Sequence, residues 1–245
     1  MASIKEAYDS TIGESFTGLK LLLWAIPFGY CRNAMTSGSM DIISTIIVSI
    51  FILLLLGFLA ESANNACEKK PELVPGINIF SMILNGIKSL VALSVYFAIA
   101  LFGTQISCSY INLGEHTVLS MSLKILIGLL FYSLPVSGFA VYTRKLDIFE
   151  AYNLKKVFYI LGEAFMMFSY LIIKLGLLTA IVIGFISYLF WLFVGLDNYL
   201  INYIWSIAIM YNLVIGTNYI AQFSEEWMTL YEKKNQVVED GVKLY

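Results

Sequence analysis

The chain reads as an all-helical integral membrane protein, with six transmembrane helices arranged as three helical hairpins, each hairpin preceded by an interfacial amphipathic helix. Three observations predict this. Hydrophobic residues fill 59% of the 245 positions and charged residues 13%, and mean hydropathy is +0.80, whereas a soluble domain carries roughly 25% charged residues. Uncharged runs of membrane-spanning length recur along the chain. Amphipathic stretches ending in a lysine (Lys20, Lys88, Lys174) precede three of the apolar runs.

Residues 2–19 place Ile4, Ala7, Tyr8, Ile12 and Phe16 at near-helical spacing, as in a helix lying on a membrane surface. Glu6, Asp9 and Glu14 precede the first apolar run and no small-x-small cleavage site follows it, so this segment is expected to stay in the mature protein. Leu21 to Cys31 is apolar but only eleven residues long and contains Pro27. A crossing needs about 20 residues, so this segment spans only by recruiting Arg32 to Met35 while Lys20 snorkels, and is otherwise re-entrant.

Ile42 to Ala60 is nineteen uncharged residues, about 28 Å of helix against a hydrocarbon core of about 30 Å. Glu61 to Gly76 is polar and holds two prolines, which makes it a loop. A second surface segment, Ile77 to Lys88, leads into a span from Leu90 to Cys108. Tyr110 to Thr117 is a turn, and Val118 to Tyr142 returns with Lys124 near one end and Pro135 inside. Arg144 to Glu163 is the third surface segment. Leu175 to Gly195 spans, Asp197 and Asn198 turn the chain, and Leu200 to Gln222 spans again, leaving a charged tail from Ser224 to Tyr245.

The whole chain is one membrane domain in which residues 1–70, 71–144 and 145–223 form three repeat units and 224–245 a cytoplasmic tail. Gly57, Gly138 and Gly216 fall near the unit ends, 81 and 78 residues apart, while the lysine spacings of 68 and 86 are looser. With six spans and a cytoplasmic N-terminus, twelve basic residues from Lys5 through Arg144 to Lys243 fall inside, against Arg32 and Lys124 outside. That asymmetry obeys the positive-inside rule and puts both termini of a multi-pass cell-membrane protein in the cytoplasm.

No catalytic constellation emerges. The lone His116 sits in a turn without an HExxH, GxSxG or phosphate-cradling glycine loop, and Cys31, Cys67 and Cys108 have unrelated spacings and no CxxC. No catalytic residue, cofactor or metal site is expected, and the chain is not read as an enzyme. A net charge of −2 with no basic cluster excludes nucleic acid as a partner.

Five polar or charged residues stand out for their place in apolar surroundings. Lys174 lies at the membrane interface by analogy with Lys20 and Lys88, or is buried and paired with Glu163. Asn202, Ser206 and Asn212, with Gly216, fall within about 120° of arc on the last span and should face the bundle, as interhelical hydrogen bonds or as the lining of a solute path. Gly176, Ala180 and Gly184 repeat every four residues and form a helix-packing seam, for which a helix of this chain is the favoured partner over another copy.

Pro71-Glu72-Leu73, Phe80 through Asn85-Gly86-Ile87-Lys88, Tyr96, and Glu150-Ala151-Tyr152-Asn153-Leu154 after Arg144 carry a resemblance over most of the chain. They resemble the archaeal-type integral membrane family "domain of unknown function 4013". Leu73 and Leu154 stand where aromatics are usual there, and Gly57-Phe58 replaces a Gly-Tyr. The resemblance implies no activity, ligand or catalytic residue. Mitochondrial-type carriers share a threefold two-helix plan, but Gly29 replaces the acidic residue their motif needs after Pro27, and no charged motif follows Pro135.

Two functions are compatible with these features. The first is a non-enzymatic scaffold or accessory subunit of a membrane complex, with the lipid bilayer and other membrane subunits or a second copy as partners. The alternative is a small-solute permease using the polar face of the last helix.

Overall fold

A computed structural model describes residues 3–14, 16–36, 41–111, 118–194 and 199–242. The chain is all-helical, with 89% helix and no strand among these residues. In chain order the elements are α1 (Ile4–Ile12), α2 (Thr17–Thr36), α3 (Ile42–Cys67), α4 (Ile79–Ser109), α5 (Val118–Thr143), α6 (Ile148–Ala151), α7 (Leu154–Leu171), a π-helical turn (Ile172–Gly176), α8 (Leu177–Val194) and α9 (Tyr199–Val242).

Local chemistry sets many of these boundaries. Asp41, Asn78, Asp147 and Asn153 cap α3, α4, α6 and α7, their side-chain oxygens accepting from the backbone N–H of Ser44, Ser81, Phe149 and Lys156. At the far end of α3, Lys70 N–H bonds to Asn65 O (2.9 Å) and Lys69 N–H to Ala66 O (3.2 Å). Lys69 there has φ 53°, so a Schellman stop is made with a lysine where glycine is usual.

Five helical stretches are long and apolar enough to cross a membrane: Ile42–Cys67, Ile79–Ser109, Val118–Thr143, Leu154–Phe193 and Leu200–Lys234. The chain is therefore built as a multi-pass membrane protein. The sixth span expected from the sequence, α2, is a continuous twenty-residue helix through Pro27. It falls outside this set because Lys20, Arg32 and Asn33 dilute its apolar stretch.

The hub is α9, which touches α1, α2, α3, α5, α7 and α8. One core cluster joins the α7 residues Val157, Ile160, Ala164, Met167 and Leu171 to Ala140 and Val141 of α5 and to Ile215, Tyr219 and Phe223 of α9. A second joins Leu21 and Trp24 of α2, Phe51 and Phe58 of α3, Met82 of α4, and Met210 and Val214 of α9. Where α3 crosses α4, a Cβ on Gly57 would lie 1.8 Å from Met82 O and one on Gly86 2.0 Å from Leu53 O. Backbones touch at this crossing, and no side chain fits.

The packing corrects several sequence expectations. Of the three surface segments, the first folds as α1, a helix separate from its span and turned from α2 at Phe16 (φ 65°). Ile77 to Lys88 runs without a break into α4. Arg144 to Glu163 divides among a turn, α6 and the first half of α7, and α7 continues through the π turn into α8. The physical reason is that an amphipathic stripe can bury against protein as readily as against lipid, as Met82 and Gly86 do on α3 and Val157 and Ile160 do on α5 and α9.

Close packing of α3 with α4 and of α5 with α7 crosses the boundaries drawn between units at 70/71 and 144/145. The three unit-end glycines also differ. Gly57 meets backbone, a Cβ on Gly138 would meet the Tyr96 ring at 2.7 Å, and one on Gly216 would meet nothing within 4 Å.

Candidate functional site

The polar face of α9 is divided between two neighbouring helices. Near its start, Asn202 Oδ1 accepts from Arg32 Nη2 of α2 (3.0 Å), and Ser206 Oγ donates to Asn202 O (2.7 Å). Gly29 lets α2 close on this place, since a Cβ there would lie 3.1 Å from Ser206 Oγ. Beside Ser206, Trp205 Nε1 donates to Ser187 Oγ of α8 (2.8 Å), and further along Asn212 Nδ2 donates to Thr179 Oγ1 of α8 (2.6 Å). Asn202, Ser206 and Asn212 thus use their polar groups as ties between or within helices.

The structure does not bring Lys174 and Glu163 together. Both are exposed on one continuous helix, and eleven residues separate them by about 16 Å. Lys174 sits in the π turn with its Nζ 4.8 Å from the centre of the Tyr170 ring, one turn back along the helix. The buried ion pair is thereby excluded. The three junction lysines are not in like settings either: Lys20 lies three residues into α2, Lys88 nine into α4, and Lys174 twenty beyond Leu154. At 1.5 Å per residue these are about 5, 14 and 30 Å from the helix start.

The Gly176, Ala180 and Gly184 row is not covered by another helix of this chain. Gly176 and Ala180 are exposed. A Cβ on Gly184 would meet nothing within 4 Å, and one on Gly176 would meet only Ile172 of the preceding turn, at 4.0 Å. The expectation of a seam closed within the chain is corrected on that ground.

Sequence reasoning missed a dense polar layer at the end of the bundle where α1, the close of α3, the close of α5 and the start of α7 meet α9. The Glu14 side chain is 8% exposed. It accepts from the backbone N–H of Leu73 (2.9 Å) and Val74 (3.0 Å), while Lys20 Nζ donates to Val74 O (2.8 Å) and faces Glu14 at 3.4 Å. Asn218, buried in α9, donates to Thr11 Oγ1 of α1 (2.7 Å) and accepts from Ser62 Oγ of α3 (3.2 Å). Asn64 Nδ2 donates to the carbonyls of Thr143 and Arg144.

Arg144 in turn reaches Glu225 (3.3 Å) and Glu232 (2.8 Å), fastening the far part of α9 to the end of α5. Glu150 pairs with Lys156 and Lys145. Hydrogen bonding to Lys156, opposed by burial and reinforced by the charges of Lys156 and Lys145, holds its carboxyl below the ordinary value. Two sequence signals touched this layer, the junction Lys20 and Arg144, a basic residue at the end of a span. Glu14 and Asn218 find partners 59 to 207 residues away, which no local pattern encodes.

An open cleft of about 840 Å³ runs through this layer, with Glu6, Asp9, Glu14, Lys69, Lys70 and Glu225 among its lining residues. Cys31, Cys67 and Cys108 are free thiols on three different helices, and among the described residues no group of three His, Cys, Asp or Glu could hold a metal ion. His116 lies outside the described residues.

Fold and site together define a multi-pass helical membrane protein in which Asn64, Asn202, Asn212 and Asn218 tie separate parts of the bundle together. No family model, curated protein or solved structure matches the chain.

Proposed function

We propose that this protein is a non-enzymatic scaffold or accessory subunit of a membrane complex, and that α8 is the helix on which a neighbouring subunit packs. One observation carries the reading. In the most apolar eighteen-residue window of Leu154–Phe193, 0% of residues are buried, against 22% to 39% in the other four apolar helices. Side-chain ties to α9 hold α8 through Ser187 and Thr179. Its open Gly176, Ala180 and Gly184 row would let a partner backbone come close, the usual basis of helix association where lipid tails remove any hydrophobic drive.

In this reading α2 is a sixth crossing, which puts the polar layer and both termini on the cytoplasmic side. The support is geometric: Lys20 near its start joins the Glu14 and Val74 layer, while Arg32 near its end meets Asn202 at the opposite end of the bundle. The excess of basic residues at the polar end agrees with that orientation. A permease has less support, because a solute path needs free polar groups near the midplane, and Asn202, Ser206 and Asn212 are already bonded.

The test is purification of the tagged full-length chain from its own membranes in mild detergent, alongside the double variant Ala180→Leu and Gly184→Leu. The reading predicts a membrane subunit that copurifies with the native chain in fixed ratio and is lost from the variant, with the variant's helix content and melting unchanged. Equal recovery from both, or a variant that itself unfolds, would count against α8 as the docking helix.

A further inference from the structure

We infer that the groove between α2, α3 and the start of α4 is a lipid-binding site that takes one acyl chain of a bilayer glycerolipid. The groove measures about 250 Å³ and is lined by Leu23, Trp24 and Pro27 of α2, Phe51 and Leu54 of α3, Ile77 just before α4, and Ile79 and Met82 at its beginning. This site is separate from α8 and does not depend on the scaffold reading.

Three considerations select the occupant. The first is chemistry: no lining side chain carries a charge, so water would lack the two to four polar partners it needs to stay, while an apolar cavity of about 150 Å³ already takes up benzene. The second is size. One turn of a partner helix, about 10 Å wide and 5.4 Å long, fills more than about 400 Å³, so the groove is too small for a helix but suits a hydrocarbon chain. The third is position. Leu23, Ile77 and Ile79 on the rim are 50%, 59% and 59% exposed, so the groove opens sideways on the same apolar surface that the spanning helices present to lipid.

An independent feature marks where the head of that chain would lie. Trp24 is 7% exposed, and its indole N–H has no hydrogen-bond partner among the described residues. A buried donor left unpaired is costly, and a membrane supplies acceptors at one depth, the ester carbonyls just inside the headgroups. Trp24 is one turn, about 6 Å, inward from Lys20, which belongs to the polar layer, and this is the depth at which interfacial tryptophans sit. A chain seated in the groove would bring its ester carbonyl to this depth, beside Trp24.

The experiment uses the full-length chain in vesicles of dioleoyl phosphatidylcholine and, in parallel, of the same lipid with brominated chains, whose bromines quench tryptophan on contact. Subtracting the emission of Trp24→Phe from that of the native chain isolates Trp24, and Trp191→Phe does the same for the exposed Trp191. The inference predicts that buried Trp24 loses as much emission as Trp191, and that Leu54→Phe, which fills the groove, restores the Trp24 emission. If Leu54→Phe does not fold, native mass spectrometry of the native chain serves instead, with one phosphatidylcholine retained per chain expected. Trp24 emission insensitive to bromine, equal quenching in Leu54→Phe, or a lipid-free chain would overturn the assignment, as would a second copy crosslinked through Leu23.

Discussion

Leu154–Phe193 is one apolar helical stretch, yet its halves behave as different objects. The first half, α7, buries Val157, Ile160, Ala164, Met167 and Leu171, spaced by three and four residues so that they form one stripe along the helix. The second half, α8, buries none of the residues whose side chains are described, and Leu178, Ile181, Phe185 and Leu192 are each more than half exposed. Between them lies the π turn Ile172–Gly176, one extra residue in the winding, which re-aims the side chains beyond it. Hydrophobicity alone therefore does not decide which helix joins a core. In a membrane an apolar residue without a protein neighbour loses little, so a core forms where small residues and polar ties let helices approach.

The sharpest way to break this contrast is at glycine. Gly57→Leu forces a side chain into the Met82 backbone, and the α3–α4 crossing must open, at a cost of at least about 3 kcal/mol. Gly184→Leu meets open space and should change stability by less than about 0.5 kcal/mol. Unfolding in mixed micelles measures both, and equal effects would erase the difference between the regions. Next comes alanine: Ala164→Leu overpacks the α7 stripe by about 2 kcal/mol, whereas Ala180→Leu on α8 should leave the melting temperature where it is.

The polar ties give intermediate effects. Asn218→Ala leaves the buried Ser62 hydroxyl without its acceptor and unties α9 from Thr11, which keeps its bond to Ala7 O, and should cost about 2 kcal/mol. Asn212→Ala breaks one partly buried bond to α8 and should cost about half that.

Acid provides a smaller test that touches α7 and spares α8. Glu150 has a folded pKa below its unfolded value of about 4.3, so its pairing contributes fully above that value and is lost as pH falls through the lower folded one. The protection of amides at the start of α7, taken relative to intrinsic exchange at each pH, should therefore fall below about pH 4, and Glu150→Gln should remove the step. Protection that falls equally in α8 would contradict the assignment to Glu150.

The smallest effect is a gain. Lys69→Gly relieves the left-handed turn that stops α3 and should add about 0.5 to 1 kcal/mol in thermal unfolding.

What was legible in the sequence follows the range of the interactions. The helical class and the apolar helices rest on neighbours a few residues away, and a single pass along the chain finds them; the caps at Asp41, Asn78, Asp147 and Asn153 are just as local but emerged only with the structure. The stripe on α7 was also visible as a period, but its partner was not, because a stripe facing lipid and a stripe facing α5 and α9 have the same composition. Gly57 and Gly86 are conspicuous as residues, while the contact that requires them joins two helices. Of the candidate residues, Asn202, Ser206 and Asn212 were readable as polar positions on one face, and their division between α2 and α8 was not. For Lys174 the sequence left an interfacial lysine and a pair with Glu163 both open, because composition does not tell which way a side chain points; in the structure both side chains are exposed.

If α8 is the docking helix proposed above, it presents a surface for another protein while lipid covers the exposed faces of the other helices. A photo-crosslinking side chain placed at Ile181 of α8, and separately at Ile46 of α3, tests it in native membranes. Both residues are exposed, at 62% and 53%, so the two sites start from comparable access. The account predicts a discrete protein adduct from Ile181 and only lipid adducts from Ile46. Lipid adducts alone at both positions would contradict it and leave α8 as an ordinary lipid-facing helix.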